Sequence, residues 1–415
     1  MDSFGASGIM AATAGFGAQG VNHNSYGAGQ PGGHFAQAYP LDRLIRKEVS
    51  LGNVREVGPP EDHIGLKHFP FYEVQTDDFI FNYIKGTATG LAPARAQNAE
   101  SELAQKDLFL TGSGRGSIID WAIKDHYDGS DVMNYRQLEG IKQLLENGQP
   151  LPNVFAGTAA ADFPGLLARD SDERRRRLDN RIEHMIWTSI VENQYTYNDG
   201  KVNFITPWGR PADQTNQAPQ SGPYGGDNHN PIKDWTHADE LMYERHGVNL
   251  GHVIMSRKAA NKFVNSKFFT ARAGLITQPG STPVDLDYLL DGWGPLAALN
   301  AVSSATGITY EINDSVYRTR PIGSNTFTNN RFIPEDVLIF LPKQEQIAQF
   351  DNNPLGLGKV VTSPHVEGNM QPGFYEWEME TRDPWGTSRG TGIKCFPIFP
   401  HMELTYTMKL DLVGV

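Results

Sequence analysis

The chain has 415 residues, of which 39% are hydrophobic and 20% are charged, and its formal net charge is -12. A chain of this length exceeds the size at which one hydrophobic core usually keeps growing, so two or more lobes are expected. The negative net charge argues against a nucleic-acid-binding protein, because phosphate contacts require clustered lysine and arginine. No apolar stretch is long enough to span a bilayer, and the first residues lack a basic region, so neither a transmembrane helix nor a signal peptide is expected.

Residues 1–40 are rich in glycine, alanine, serine, asparagine and glutamine, and they hold few large apolar side chains. Such a segment buries too little apolar surface to offset the entropy lost on ordering it. We therefore expect a disordered arm unless neighbouring chains hold it in place. A short amphipathic segment follows at 41–45, and then a Gly-Pro-Pro loop at 58–60.

Strand-like and polar stretches alternate over residues 77–128. Residues 79–84 and 117–123 are apolar and strand-like, whereas 91–106 is polar and rich in alanine. Two strand-like flanks around a long polar middle predict an extended hairpin, which buries little surface within its own subunit.

Within this region, residues 112–117 have the sequence Gly-Ser-Gly-Arg-Gly-Ser, which invites comparison with phosphate-binding loops. A P-loop ends in Gly-Lys-Ser/Thr, and this segment has no lysine. The dinucleotide-binding fingerprint requires a third glycine where Ser117 stands. We therefore interpret the segment as a flexible hairpin tip.

The strongest helix signal lies at about 170–193. Asp170 or Ser171 offers an N-cap, and Glu173 falls in the first turn. One stripe at helical spacing contains Leu178, Ile182, Met185, Ile186, Ser189 and Ile190. This periodicity is typical of a helix with one face in a core.

Two features accompany this helix. Four consecutive arginines at 174–177 go around a full turn, so they cannot all face one groove of nucleic acid. We interpret them as a solvated or interface-pairing face. Directly after the helix, residues 194–205 contain the turn Asn198-Asp199-Gly200 between two strand-like runs, which predicts a hairpin.

The next region predicts a central α/β lobe. A helix opens at Asp234, a strand covers 253–255 and a second helix starts at Ser256. The inward positions of the second helix are Ala259, Ala260, Phe263, Val264 and Phe268. The run 308–312 and the proline-bracketed run 332–342 are further strands, since proline suits strand ends better than strand interiors.

The C-terminal region carries three more signals. Residues 372–377 are strand-like, and 381–386 form a turn-rich corner. From Met402 to Leu412 apolar and polar residues alternate strictly, which predicts a half-buried strand. Burial of one face of this strand roughly offsets the entropy of ordering it, so we expect it to close a larger sheet.

The titratable residues give no defined chemical site. His237, His246 and His252 lie near one another in sequence, but they lack His-Glu-x-x-His spacing and a supporting cysteine, so surface or packing roles are preferred over metal binding. Two sets could supply paired carboxylates: Asp285, Asp287 and Asp291, and Glu376, Glu378 and Glu380. Nothing fixes their separation, and alternating glutamates usually line the wet side of a strand. Cys395, the single cysteine, is expected to be a buried small hydrophobe. No catalytic, cofactor-binding or metal-binding residue is predicted.

In their order along the chain, the strand at 332–342, the strand and corner at 372–386 and the final strand resemble tailed-phage major capsid proteins of the lambda head-protein type (capsid protein E). The long helix that passes directly into a hairpin is similar to the spine helix and following strands of that family. The resemblance implies an α+β structure with the Hong Kong 97 phage capsid fold. The parts it implies are an N-terminal arm at 1–76, an extended E-loop at 77–128, a peripheral domain at 129–235 with the spine helix at about 170–193 and its hairpin, an axial domain at 236–365, and a C-terminal return to the peripheral domain at 366–415.

The same resemblance implies a head protein that self-assembles into pentamers and hexamers of an icosahedral shell around double-stranded DNA, without binding that DNA specifically. Its implied partners are further copies of the chain, with decoration, scaffolding and portal proteins as additional candidates. No membrane partner, cofactor or enzymatic activity is expected, and the implied location is the virion after assembly in the host cytoplasm. Two alternatives stay open: a cellular nanocompartment shell protein of the same fold, and a carboxylate-dependent hydrolase.

Overall fold

A computed structural model of the chain describes residues 47–56, 58–87, 109–128, 163–200, 202–224, 229–264, 266, 299–300, 303, 308–320, 326–350, 353–382 and 385–411. Several predictions fall outside this part of the chain: the arm at 1–40, the segment at 41–45, the polar middle at 91–106, Phe268, and the carboxylates Asp285, Asp287 and Asp291. Within the described residues, no helix is both long enough and apolar enough to cross a membrane.

The helices of the described residues are α1 (Lys47–Glu56), α2 (Gly65–His68), α3 (Phe163–Glu192), α4 (Pro231–His246), α5 (Arg257–Val264) and α6 (Gln344–Phe350). The strands are β1 (Phe71–Glu73), β2 (Asp78–Thr87), β3 (Phe109–Ser117), β4 (Ile119–Asp128), β5 (Gln194–Asn198), β6 (Asn203–Pro207), β7 (Leu250–Met255), β8 (Thr309–Ile312), β9 (Val316–Thr319), β10 (Thr328–Arg331), β11 (Val337–Pro342), β12 (Lys359–Thr362), β13 (Pro364–His365), β14 (Gln371–Pro372), β15 (Phe374–Arg382), β16 (Trp385–Ile398) and β17 (Tyr406–Lys409).

The larger sheet has the strand order β1-β12-β16-β15, with β4 also paired to β16. β1 runs parallel to β12, and the other pairs are antiparallel. β16 is the centre of this sheet: β4 lies along one edge, while β15 and then β12 occupy the other, since Cys395 pairs with both Ile119 of β4 and Thr362 of β12. Beyond the turn-rich corner predicted at 381–386, β16 was not expected, because glycines, which are depleted in strands, interrupt its first half.

Aromatic rings lie across glycines of the paired strand in two strand pairs, β15–β16 and β2–β3. Trp377 of β15 is opposite Gly390 of β16, and Phe81 of β2 is opposite Gly114 of β3. A Cβ atom on either glycine would collide with the facing ring. The interpretation of 112–117 as a hairpin tip is therefore wrong, since these glycines lie inside β3 and make room for rings on its partner strand.

The second sheet has the order β17-β11-β7-β8, in which β7 and β8 are parallel. All residues of β11 are buried, which confirms the proline-bracketed strand. α5 packs here through Ala259, Ala260, Phe263 and Val264, the described part of its predicted inward face. The buried apolar residues form two clusters, and β7 and β11 contribute to both, so the two faces of the second sheet pack into different clusters. The expectation of more than one lobe stays a prediction.

The long helix is confirmed, but α3 begins at Phe163 rather than near residue 170. Its predicted apolar stripe is buried in the core of the larger sheet, together with Trp187. The hairpin that follows is also confirmed as the antiparallel pair β5–β6. Gly200 in its turn has a φ of 83°, a conformation that glycine adopts without steric cost.

The final strand is shorter than predicted. Residues Met402–Leu404 form a 3-10 turn, and only Tyr406–Lys409 is strand. Thr405 and Thr407, assigned to the wet face by their alternation, are buried. The Thr405 hydroxyl accepts a hydrogen bond from Arg210, and that of Thr407 accepts one from the backbone N–H of Asn216. Because these two hydroxyls are hydrogen-bonded within the chain, both faces of β17 can be buried.

Gly390→Ala should destabilise the folded chain by about 1–3 kcal/mol, the usual cost of overpacking, because the added methyl group would displace the Trp377 ring. Gly52→Ala in α1 is the matched control: nothing lies within 4 Å of a Cβ there, and alanine favours a helix by about 0.5–1 kcal/mol over glycine. Urea unfolding of the purified chain measures both changes. Unaltered stability of Gly390→Ala would show that the ring does not lie where the structure has it.

Candidate functional site: the anchored spine helix, the ribbons and a histidine–glutamate cluster

Arg174 of α3 lies in the protein interior, with a side chain only 2% exposed. Its guanidinium donates to Asp125 Oδ2 at 2.8 Å on β4 and to Thr391 Oγ1 at 2.9 Å on β16. A third donor reaches Ser171 Oγ at 2.9 Å, and the same nitrogen is 3.4 Å from Glu376 Oε1 on β15. Burial lowers the pKa of Arg174, but the contacts with Asp125 and Glu376 outweigh this effect and hold it above the ordinary value.

These contacts correct two interpretations made from the sequence. The arginines at 174–177 do not form a uniformly solvated face, since Arg174 and Arg175 are buried while Arg176 and Arg177 are exposed. Glu376 does not line the wet side of its strand but is fully buried. Its neighbour on the same face, Glu378, pairs with Arg389 at 2.8 Å.

Arg175, one residue further on, connects α3 to α1. Its Nε is 3.0 Å from each carboxylate oxygen of Asp179, and its Nη1 donates to the backbone carbonyl of Val54 at 2.5 Å. The guanidinium also lies 3.4 Å from the centre of the Phe374 ring. Burial raises the pKa of Asp179 to about 6, although Arg175 opposes this shift.

Glu183, two turns after Arg175, connects α3 to α2. Its carboxylate accepts hydrogen bonds from the backbone N–H of Gly65 at 2.9 Å and from the Trp187 indole at 2.6 Å. Burial raises the pKa of Glu183 to about 7, and these hydrogen bonds offset only part of that shift. Gly65 has no room for a side chain, because a Cβ there would collide with the carboxylate. Charged groups on one helix thus fix α1, α2 and the larger sheet around it.

A second set of features is at the surface. Two-stranded ribbons are formed by β2–β3, β5–β6, β9–β10 and β13–β14. Each carries an exposed large apolar side chain: Ile80 on β2, Ile205 on β6, Val316 on β9, and Val366 and Met370 between β13 and β14. A ribbon of two strands is marginally stable by itself, so these apolar groups are suited to contact with another molecule.

The three histidines considered in the sequence do not meet. His246 is 3.1 Å from the Gln214 amide, whereas His252 is 3.0 Å from Glu311 Oε2. A different histidine, His68, approaches the same oxygen at 2.8 Å. Among the described residues, His68, His252 and Glu311 are the group whose donor atoms are close enough to hold a metal ion. Burial raises the pKa of Glu311, but hydrogen bonds from His252 and His68 outweigh this and hold it well below its ordinary value.

The predicted role of Cys395 is consistent with its surroundings. The thiol is fully buried in the core of the larger sheet, and burial raises its pKa far above the ordinary value. A thiol in this state is neutral and a poor nucleophile.

Arg174→Met should lower the unfolding free energy by about 3–5 kcal/mol, because it leaves the buried Glu376 without its cation. Arg176→Met is the matched control on the same helix, and a change within about 0.5 kcal/mol is expected for this exposed side chain. The double variant Arg174→Met/Glu376→Met should recover part of the loss, since it removes both charges. Urea unfolding distinguishes the three; similar effects of Arg174→Met and Arg176→Met would contradict the network.

Glu183 should make stability depend on pH. Its pKa is about 7 in the folded chain, above the ordinary value of 4.5, so the folded state binds a proton that the unfolded state has lost. The resulting stabilisation is complete below pH 4.5 and disappears as the pH rises to about 7. The change is on the order of 3 kcal/mol. Because Glu183→Gln cannot titrate, the wild type should lose this amount relative to the variant across that interval. Unfolding free energies measured through the interval test this, and a difference independent of pH would contradict it.

Comparison with known proteins relates this chain to a protein family. A family model described as phage major capsid protein E matches residues 66–351. No curated protein matches the chain. The putative capsid protein of a prophage of E. coli CFT073 is 12% identical, with 89% of this chain and 97% of that chain covered and a TM-score of 0.50.

Two further structures are similar over comparable lengths. A phage-related protein from Bordetella bronchiseptica RB50 is 14% identical, with 89% of this chain and 98% of that chain covered and a TM-score of 0.46. A virus-like particle from Pyrococcus furiosus is 10% identical, with 89% and 98% covered and a TM-score of 0.38. The likeness to the prophage capsid protein supports the capsid fold implied by the sequence. The family match extends over more than half of the chain, which therefore belongs to the phage major capsid protein E family.

Proposed function

We propose that copies of this chain form the pentamers and hexamers of an icosahedral phage head that encloses double-stranded DNA. The observation that carries this proposal is the family match over residues 66–351. The family is one of structural capsid proteins, so the chain assembles with copies of itself and is located in the virion. Assembly in the host cytoplasm, and contacts with decoration, scaffolding or portal proteins, belong to the proposal.

The ribbons supply surfaces for contacts between copies. Ile80 is 76% exposed, and it lies directly opposite the exposed Arg115 on the outer face of the β2–β3 ribbon. On the other face of this ribbon, Phe79 and Phe81 pack against the core of the larger sheet. One face therefore anchors the ribbon to its own subunit, and the other is free to meet a neighbour. In a closed shell every subunit meets several copies, so modest contacts add up.

The division into structural regions is also proposed. We assign residues 1–76 to the arm, 77–128 to the E-loop, 129–235 to the peripheral domain and 236–365 to the axial domain. The β2–β3 ribbon supports the second assignment. Residues 366–415 return to the peripheral domain through β15 and β16, which pair with each other and with β4. The β17 strand near the end of this segment pairs instead with β11 of the second sheet.

The charge of the chain suits a container wall. At a formal net charge of -12 the subunit has no excess of cations to hold DNA phosphates. A wall of this kind encloses the genome without binding it specifically, which leaves the DNA free to move during packaging and release.

Purified chain expressed alone or with its phage head partners should sediment as closed particles of megadalton mass, visible by electron microscopy. Analytical ultracentrifugation that shows only monomers or dimers at high concentration would contradict the shell. Nucleic acid within particles from infected cells supports the phage head, whereas an enclosed enzyme would indicate a nanocompartment.

The variant Ile80→Asp tests the ribbon contact specifically. Because the residue is exposed, the substitution should change the unfolding free energy of the subunit by no more than about 0.5 kcal/mol. The assembled fraction should fall, since a charge would then enter an apolar contact. Ile80→Val, which keeps an apolar side chain, is the control that should assemble normally. Normal particles from Ile80→Asp would show that this face does not meet a neighbour.

A further inference from the structure

His68, His252 and Glu311 come from three separate elements and converge on one point. His68 ends α2, His252 lies in β7 and Glu311 lies in the adjacent strand β8. Nε2 of His68 is 2.8 Å and Nε2 of His252 is 3.0 Å from the same oxygen, Oε2 of Glu311. The centres of the two imidazole rings are 4.7 Å apart.

The other groups near the cluster leave this point free. Lys67 lies 3.1 Å from Oε1 of Glu311, so its ammonium occupies the carboxylate oxygen that faces away from the histidines. Oε2 and the two Nε2 atoms lie within 4.8 Å of one another, and a bound ion would replace the two hydrogen bonds that now join them. We propose that His68, His252 and Glu311 bind a divalent transition-metal ion, with Zn²⁺ as the best fit.

The donor set determines the class of ion. Two imidazoles and one carboxylate are a known protein ligand set for zinc with an open fourth position. Imidazole favours Zn²⁺, Co²⁺, Ni²⁺ and Cu²⁺, whereas Mg²⁺ and Ca²⁺ prefer oxygen ligands throughout. With zinc bonds of about 2.0–2.2 Å and tetrahedral angles, neighbouring donor atoms would be roughly 3.3 Å apart. The nitrogen–oxygen distances of 2.8 and 3.0 Å therefore need to open by only about half an ångström.

The surroundings allow an ion to enter and to complete its coordination. The side chains of His68, His252 and Glu311 are 17%, 18% and 17% exposed. His68 and His252 line a cavity of about 740 Å³, whose walls also include Thr309 beside Glu311. Water in this cavity can occupy the fourth position, as an open zinc site requires.

Such an ion would have a structural effect. Phe69, next to His68, belongs to the apolar core of the larger sheet, while Val253 and Tyr310, next to His252 and Glu311, belong to the core of the second sheet. Coordination would cross-link the two cores within one chain. A ligand that binds only the folded state raises stability by mass action, so the ion would stiffen the subunit at the junction of its two sheets.

Titration of the metal-free full chain with Co²⁺ tests the site directly. One equivalent per chain should give the visible absorption bands of tetrahedral cobalt, and Zn²⁺ should displace it while Mg²⁺ should not. His252→Ala should weaken binding more than about 100-fold, because loss even of a group that only orients a ligand costs 10–100-fold. His237→Ala removes a histidine of α4 outside the cluster and should bind like the wild type. Absence of the bands from the wild type, or equal affinity of wild type and His252→Ala, would overturn the proposal.

A second measurement covers the case in which His252→Ala does not fold. His68→Gln and Glu311→Gln keep side chains of similar size, and their circular dichroism spectra establish whether they fold. Zn²⁺ should raise the thermal unfolding temperature of the wild type and of His237→Ala, but not of either folded glutamine variant. A Zn²⁺-dependent rise of the same size in His68→Gln or Glu311→Gln would place the ion elsewhere and overturn the proposal.

Discussion

The guanidinium of Arg174 is charged and lies away from water, a state that costs several kcal/mol unless every donor finds an acceptor. The acceptors come from separate parts of the chain: Asp125 on β4, Glu376 on β15, Thr391 on β16 and Ser171 on the helix itself. Apolar packing is non-directional, so an apolar stripe alone would tolerate a shift of the helix along the sheet. A shift would break the hydrogen bonds of Arg174. All of these hydrogen bonds form together only when β4, β15 and β16 are correctly aligned with α3. The Arg174 guanidinium therefore fixes the position of the helix on the larger sheet.

The same helix also directs the chain that enters the sheet. Arg175 holds the carbonyl of Val54 at the end of α1, and Glu183 holds the N–H of Gly65 at the start of α2. These two contacts tie Val54 and Gly65 to α3, and soon after Gly65 the chain enters β1, which pairs with β12. His68 then brings the end of α2 against β7 and β8 of the second sheet. A short segment of chain is thus fixed to both cores, and the junction between the sheets follows from contacts of α3.

Elements whose signal is local were predictable from the sequence. The stripe of α3, the β5–β6 hairpin and the buried strand β11 each show their periodicity or their turn within a few residues. The charged site was not predictable, because nothing near Arg174 in the sequence indicates that its partners stand 49 and 202 positions away. The glycines of β3 were misread and those of β16 overlooked for the same reason, since the rings that require them lie on the partner strand. His68 escaped notice because Glu311, its partner, is 243 positions away.

Different groups serve folding of the subunit and its assembly with neighbours: buried charged and aromatic groups serve the first, and exposed apolar groups serve the second. Groups that fix the subunit, among them Arg174, Glu183 and Trp187, are buried, so they act before any neighbour arrives. Exposed apolar groups such as Ile80 and Ile205 lie instead on two-stranded ribbons, which gain further stability only by packing against something else. A subunit in a closed shell must meet neighbours at slightly different angles around five-fold and six-fold positions. The outer faces of the ribbons can adjust to these angles, whereas α3 is held in one place by the buried contacts of Arg174, Arg175 and Glu183. The chain therefore places its adaptable contacts on the ribbons and keeps its dense, charged interior the same in every copy.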